Sequence, residues 1–297
     1  MTLFTHAAQA RHPSWPAPLY DELLAESREW PALVNALRVE PELGTPARGG
    51  LPATVGRRDG DGWLVSGHKI FSTGAVALSW MAVWGRTDED PARVGSFLVR
   101  GGSPGVRVEP TWDHLGLRAS RSDDVHLSDV RVPLDAFVHT PDGRAADAVA
   151  WNALGLAALY LGVAQSAQDW LIGFLHERTP ASLGKPLATL PRFQAAVGEI
   201  EAALVSATVL VRALAADHDA GLPVQAGIGK LVATRAAIGA VEQAVALIGN
   251  NALNRRNPLE RHLRDVLCAR IHTPQDDTIL AAAGQAALSQ YTKEHTS

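Results

Sequence analysis

The sequence predicts an α+β protein: a β-barrel or sandwich domain followed by an antiparallel four-helix bundle, with a short helical N-terminal remnant. Three observations lead there. The apolar period is two through the middle of the chain and changes to 3.6 after about residue 148. Gly, Asp and Pro punctuate the period-two region at short intervals, as turns between strands do. The last region is alanine-rich and interrupted only by brief Pro/Gly stretches, which suits helices packed closely in series.

Residues 1–35 read as helix with a break. In "SWPAPL" two prolines stop one helix, and "LYDELLAESREW" then places Leu19, Leu23 and Leu24 on one face. Residues 36–140 form the β-region. "ATVGRR" and "WLVSGH" flank Asp59-Gly60-Asp61-Gly62, a hairpin signal because glycine accepts positive φ without strain. "WMAVWGR", "GSFLVRG", "GVRVEPTW" and "DDVHLSDVRVP" continue the series, for roughly six to eight strands. Trp63, Trp80, Trp84 and Trp112 lie here and suit a barrel core. Residues 145–297 form the bundle. Phe193, Val197, Ile200, Leu204 and Val211 make one stripe, and Ile228, Leu231, Ile238, Val241, Val245 and Ile248 another.

Composition narrows the function. The chain has 297 residues, 46% hydrophobic and 20% charged, with a net charge of −4, which is ordinary for a globular protein. No Lys/Arg cluster would track phosphates, so nucleic acid is not expected as a partner. Nor is a membrane, since no apolar run is read as reaching the ~20 residues of a bilayer span. The N-terminus lacks the basic start and apolar core of a signal peptide, and the single Cys268 excludes an internal disulfide. Both fit a cytoplasmic location. Cys268, among Val266, Leu267 and Ile271, reads as a small core residue.

The stretch "WLVSGHKIFSTGA" carries the first chemical hint. A half-buried strand ends in an aromatic, two hydroxyls and a glycine: Phe71-Ser72-Thr73-Gly74. Such an end can satisfy its own backbone, or it can offer a flat wall with polar donors to a planar ligand. No nucleophile elbow appears, and the glycines of "GTPARGG" precede a strand rather than a helix, so neither a hydrolase nor a dinucleotide fingerprint is indicated.

Five words in order then carry a resemblance: "RVEPELGTP", "DGDGWLVSGHKIFSTGA", "SPGVRV", "LGLRASRSDDVHLSDVRVP" and "NPLERHLRDVLCARIH". Together they resemble the middle and C-terminal domains of the acyl-CoA dehydrogenase superfamily, from about Leu33 to about Ala287. The resemblance implies a flavin-dependent oxidoreductase with FAD, a small-molecule substrate that is an acyl-CoA or another small organic compound, and a homo-oligomer, dimer or tetramer. Phe71-Ser72-Thr73 is similar to the triplet that lines the flavin ring, with the Thr73 hydroxyl and nearby N–H groups serving the ring's polar edge. Glu40-Pro41 and Gly44-Thr45 resemble a loop that touches flavin and substrate, with Val39 in place of the usual threonine. Arg178 resembles an arginine that reaches a neighbouring subunit's flavin pyrophosphate; it could equally cap a helix C-terminus.

The chain departs from that pattern in three places. The family's proton-abstracting glutamate falls on Thr273 or, in members that carry it earlier, on Asn152, and neither is a base. Asp276 and Asp277 are nearby but a helical turn away. The glycine run along the dinucleotide becomes Gly249-Asn250-Asn251-Ala252, with Ala246 for a glutamine, which makes FMN or free reduced flavin an alternative to FAD. Finally, only the last piece of the family's helical N-terminal domain is expected before the barrel. Flavin monooxygenases on this fold offer a second match, because His272 stands one residue from the vacant glutamate position and could act beside the flavin without a carboxylate. His272 could also be a plain helix C-terminal residue before Pro274, and no metal site is expected. A non-catalytic subunit that pairs with an intact homologue is the third reading.

Overall fold

The computed structural model describes residues 5–6, 9–10, 14–42, 51–139 and 146–295. The chain divides into two compact units, Met1–His114 with Arg118–Ala148, and Leu115–Leu117 with Val149–Ser297.

The first unit holds helix α1 (Ala17–Glu29) and eight strands: β1 (Val34–Leu37), β2 (Val55–Asp59), β3 (Gly62–Lys69), β4 (Trp80–Thr87), β5 (Val94–Arg100), β6 (Val106–Glu109), β7 (Asp124–Pro133) and β8 (Phe137–His139). The strands pair in the order β6-β7-β3-β2-β4-β5-β8, and β1 lies parallel on β4. The expected hairpin is there: β2 and β3 pair from Val55↔Ser66 to Asp59↔Gly62, and Gly60 turns at φ +57°. Alternation sends Trp63, Val65, Val125 and Val130 inward with Trp80, Met81, Val83 and Phe97. Each such fully buried large apolar side chain contributes about 1.5–3 kcal/mol. Gly56 is obligatory in this core, because a Cβ there would lie 2.2 Å from the Phe97 ring. Leu23 of α1 is buried in the same cluster, so the front helix is part of this unit's core.

The second unit is helical: α2 (Ala146–Glu177), α3 (Pro191–Asp219), α4 (Ala226–Ile248), the short α5 (Asn250–Leu253), α6 (Leu259–Leu267) and α7 (Asp276–His295). Buried alanines recur at helical spacing, at 153, 157, 164 and 167 in α2 and at 233, 237, 240 and 244 in α4. Their small side chains let the axes approach closely, and Tyr160, Leu171, Phe193, Ile200 and Leu204 fill what remains. One sequence expectation is corrected here. Val149–Glu177 and Ala226–Ile248 are long and apolar enough to cross a membrane by length and composition. Alanine raises their hydropathy, and both contribute buried residues to the bundle core.

Leu115–Leu117 belongs to this unit through contacts with α6. The Leu117 N–H donates to Asp265 Oδ1 at 2.7 Å, and Arg264 Nη1 donates to the Leu115 carbonyl at 2.8 Å. A Cβ on Gly116 would lie 2.2 Å from the Arg264 carbonyl oxygen. "LGL" and "RD" are therefore two halves of one clamp.

Candidate functional site

In the first unit, β3 leaves the sheet after Lys69, and the chain turns sharply at Phe71. Its φ of +56° is rare for a bulky residue. The turn leaves the ring 52% exposed. Phe71 meets Trp112 and His114 edge-on, at 6.4 and 5.9 Å between centroids, and those two rings stack at 3.7 Å. Thr73 is also exposed; its Oγ1 lies 2.8 Å from Ser122 Oγ, itself 2.8 Å from Ser120 Oγ. Asn35 Nδ2 donates to the Thr73 carbonyl at 3.0 Å and fixes the turn from β1. Ser72 points inward, and its Oγ is buried without a partner among the described residues. A buried, unbonded hydroxyl is costly enough to need a reason.

The arrangement differs from expectation in one detail. The N–H groups of Ser72, Thr73 and Gly74 donate to the carbonyls of Asp123, Phe71 and Ser120. The turn has spent its backbone donors internally, so its hydroxyls and exposed ring are what it offers a ligand.

The Glu40 side chain, at the start of the loop that the resemblance assigns to flavin and substrate, turns into the fold. It is 3% exposed and accepts from Ala53 N–H, Thr54 N–H and Thr54 Oγ1 at 2.7, 3.0 and 2.6 Å. Lys69 Nζ sits 2.6 Å from Glu40 Oε1 and donates to the Trp84 carbonyl. Burial raises the Glu40 carboxyl, but the bonds from Lys69, Thr54 and Ala53 together hold it below its ordinary value. Burial brings the Lys69 ammonium down to about 8, against the pull of Glu40. This clasp serves the fold. Thr45 lies outside the described residues.

In the second unit, the two positions where a base was sought come together. Asn152 Nδ2, on α2, donates to the Thr273 carbonyl at 3.0 Å. Neither side chain is a carboxylate. His272, beside them, is pushed below its ordinary pKa by burial and then by Lys230, so it is neutral near pH 7. Its Nδ1 lies 2.6 Å from the Tyr160 hydroxyl. Tyr160 is pushed well above its ordinary pKa, first by burial and then by Cys268 and Asp265. A phenol that donates to a neutral Nδ1 leaves the imidazole proton on Nε2. The fully buried Lys230 donates to the carbonyls of Ala269, His272 and Pro274 at 3.3, 3.0 and 3.0 Å. Side chains from α2 and α4 thus pin the turn that carries His272 and Thr273.

The remaining candidates fall elsewhere in this unit. Asp276 pairs with Arg235 at 3.2 Å, and Asp277 Oδ1 accepts from Thr278 N–H at 2.8 Å, so both carboxylates serve the start of α7. Arg178 is exposed, one residue past α2. Gly249 has φ +58° with open space around a built Cβ. Cys268 is half-buried, and burial raises its thiol. Sequence reasoning missed Tyr160, Lys230 and the Trp112–His114 stack. Each acts through a partner distant in sequence or on a stretch with no periodic signal.

Residues 38–130 match the model of the acyl-CoA dehydrogenase middle domain, and residues 154–276 that of the acyl-CoA dehydrogenase C-terminal domain. The chain is 34% identical over 255 residues to YdbM of Bacillus subtilis (strain 168), which carries a provisional acyl-CoA dehydrogenase name; 84% of this chain and 66% of that protein align. It is 32% identical over 240 residues to the mitochondrial short-chain specific acyl-CoA dehydrogenase of Bos taurus, covering 78% of this chain and 57% of the relative. Among solved structures, butyryl-CoA dehydrogenase from Megasphaera elsdenii superposes with a TM-score of 0.79 at 25% identity, over 90% of this chain and 71% of that one. A glutaryl-CoA dehydrogenase from Mycobacterium smegmatis, solved with FADH2, has the same fold with a TM-score of 0.80 at 22% identity, over 92% and 70%. The chain thus spans 57–66% of the length of these two curated relatives.

Proposed function

This chain belongs to the acyl-CoA dehydrogenase family, and from that membership we propose that it is a flavin-dependent oxidoreductase acting on an acyl thioester or another small organic substrate. The observation that carries the reading is the turn after β3. An exposed Phe71 ring and a chain of hydroxyls from Thr73 to Ser120 suit a flat, polar-edged ring system. FAD is the cofactor that fits this set: Phe71 would supply the wall and the exposed Thr73 hydroxyl the donor. Bound there, it would supply a two-electron acceptor for substrate oxidation. Arg178, with its fork of donors, is the residue proposed to meet a pyrophosphate, in a neighbouring copy of a homo-oligomer.

On the bundle side, this chain's residues hold a proton rather than remove one. Asn152 and Thr273 place amide and hydroxyl groups where a dehydrogenase needs a carboxylate, and neutral His272 presents an Nε2–H held by Tyr160. That group favours a second reading: a two-component monooxygenase using reduced flavin and O2, with His272 as the polar group this unit supplies.

The deciding experiment is the visible spectrum of the purified protein, with the released chromophore identified, followed by two mixing tests. FAD that acyl-CoA bleaches anaerobically supports the dehydrogenase reading. FMN, or a colourless protein that consumes reduced flavin and O2 and inserts oxygen into a substrate, supports the monooxygenase. A protein that takes up no flavin in either redox state overturns both and leaves a non-catalytic subunit. In the flavin-binding case, Phe71→Ala should weaken flavin affinity by about tenfold, since one ring–ligand contact is worth roughly 1–3 kcal/mol.

A further inference from the structure

Away from the β3 turn, the solvent face of the barrel sheet carries a different cluster. Val125 and Leu127 point into the core, so alternation sends Asp124 and His126 outward together. The strand register sets His68 opposite His126, and Asp124 opposite Glu109. Three adjacent strands, β3, β7 and β6, therefore bring two imidazoles and two carboxylates to one patch, all partly buried or at its exposed rim. His68 Nε2 lies 2.7 Å from Asp124 Oδ2, His126 Nε2 lies 2.9 Å from Glu109 Oε2, and the two rings stack at 4.1 Å.

We propose that His68, His126 and Asp124 form a binding site for a borderline divalent transition ion, Zn2+ foremost. The donor set is the first argument. Two imidazoles and a carboxylate suit zinc, and one ligand atom from each already lies within 4.8 Å of the others. Tetrahedral bonds of ~2.0–2.1 Å put ligand atoms ~3.3 Å apart, so His68 Nε2 and Asp124 Oδ2, at 2.7 Å, must open by roughly half an ångström and His126 must close by at most about 1.5 Å. Splaying the stacked rings supplies that movement from side-chain rotation, with no change in the strands. The outer shell is the second argument. Thr111 Oγ1 donates to Asp124 Oδ1 at 2.7 Å and accepts from Asp124 N–H at 3.1 Å. Those bonds fix the carboxylate with Oδ2 toward His68, as ligating carboxylates usually are fixed. Glu109 brings a further oxygen to the rim, where Arg107 holds it at 3.0 Å. Arg107 opposes a cation, so the ion must compete with that pair. An ion here would tie β7 to β3, and it would reach β6, at the end of the strand order, only by drawing Glu109 away from Arg107. The site shares no residue with the proposed flavin wall, so it stands or falls independently.

The test uses the tag-free full chain, stripped with a chelator and titrated with Zn2+ by calorimetry and with Co2+ by visible spectroscopy. Expected are one ion per chain, d–d bands from a low-coordinate Co2+ centre, and a rise in melting temperature. His68→Ala and His126→Ala should each lose about tenfold or more in affinity, and Asp124→Asn should weaken it less. His176→Ala, on α2, should bind like the wild type. Circular dichroism shows whether each variant is folded, and His68→Ala alone suffices if the others are not. Absence of saturable binding overturns the proposal. So does a stoichiometry and affinity indifferent to His68 and His126, which would mark scattered surface histidines.

Discussion

Tyr160 and His272 stand 112 residues apart in the chain, yet their 2.6 Å bond decides what the imidazole can do. Burial and then Lys230 hold that ring below its ordinary pKa. Tyr160→Phe removes that donor and leaves a half-buried Nδ1 unpaired, at a cost of about 1–3 kcal/mol. Burial and Lys230 stay in place in this variant, so the His272 pKa should remain below its ordinary value, which proton NMR of the ring reads directly. A titration at the ordinary value would show that the hydrogen bond, not burial, sets the protonation state. The Glu40–Lys69 clasp gives a second residue-scale prediction. Glu40→Gln leaves a buried ammonium without its counter-charge and should cost about 3–5 kcal/mol in denaturant unfolding. The signs with pH follow from the shifts. Glu40 is held below its ordinary value of 4.5, so its contribution is complete above that pH and is lost as pH falls through the lower folded value. Lys69 is lowered from 10.5 to about 8, so between those values the unfolded chain holds more protons. Stability from this group therefore rises across that window, and wild type should gain on Lys69→Met as pH climbs.

At the scale of elements, one substitution should act with opposite signs at two glycines. Gly116→Ala would drive a Cβ to 2.2 Å from the Arg264 carbonyl, and backbone cannot yield as a flexible side chain does. Overpacking of this kind costs about 1–3 kcal/mol and should loosen the clamp of Leu117 on Asp265. Gly239 lies inside α4 with nothing within 4 Å of a built Cβ, so Gly239→Ala should stabilise by up to about 1 kcal/mol. Melting curves of the two variants test both signs. The contrast also shows why sequence reads elements better than their joins. The β2–β3 hairpin was legible because Asp59-Gly60-Asp61-Gly62 is a local instruction, and the stripes of α3 and α4 because period 3.6 is local too. That His68 would face His126 depends on the pairing of β3 with β7 past a register shift between Val65 and Gly67, which no local pattern encodes. The buried Lys230 was equally hidden, because its partners are three backbone carbonyls that carry no sequence signal.

At the scale of the whole molecule, order of motifs made the family legible, while chemistry rests on single positions that order does not fix. The sequence resemblance gives Thr273 and Asn152 as separate homes for a base, and folding brings them into contact. That convergence makes the dehydrogenase reading testable by restoration. Asn152→Glu and Thr273→Glu each put a carboxylate at a position where the sequence resemblance expects one. Positioned general bases contribute about 10²–10⁴-fold to proton transfer. If the chain binds FAD and acyl-CoA, one variant should show anaerobic bleaching by acyl-CoA accelerated within that range, whereas Asn152→Gln should not. The position that gains also reveals which helix presents the base in this architecture. A flavin-loaded variant that binds acyl-CoA without faster bleaching would mean that the missing carboxylate is not what limits the reaction. The chemistry would then have to be sought around the Nε2–H of His272, where Tyr160→Phe should alter the rate and its pH profile together.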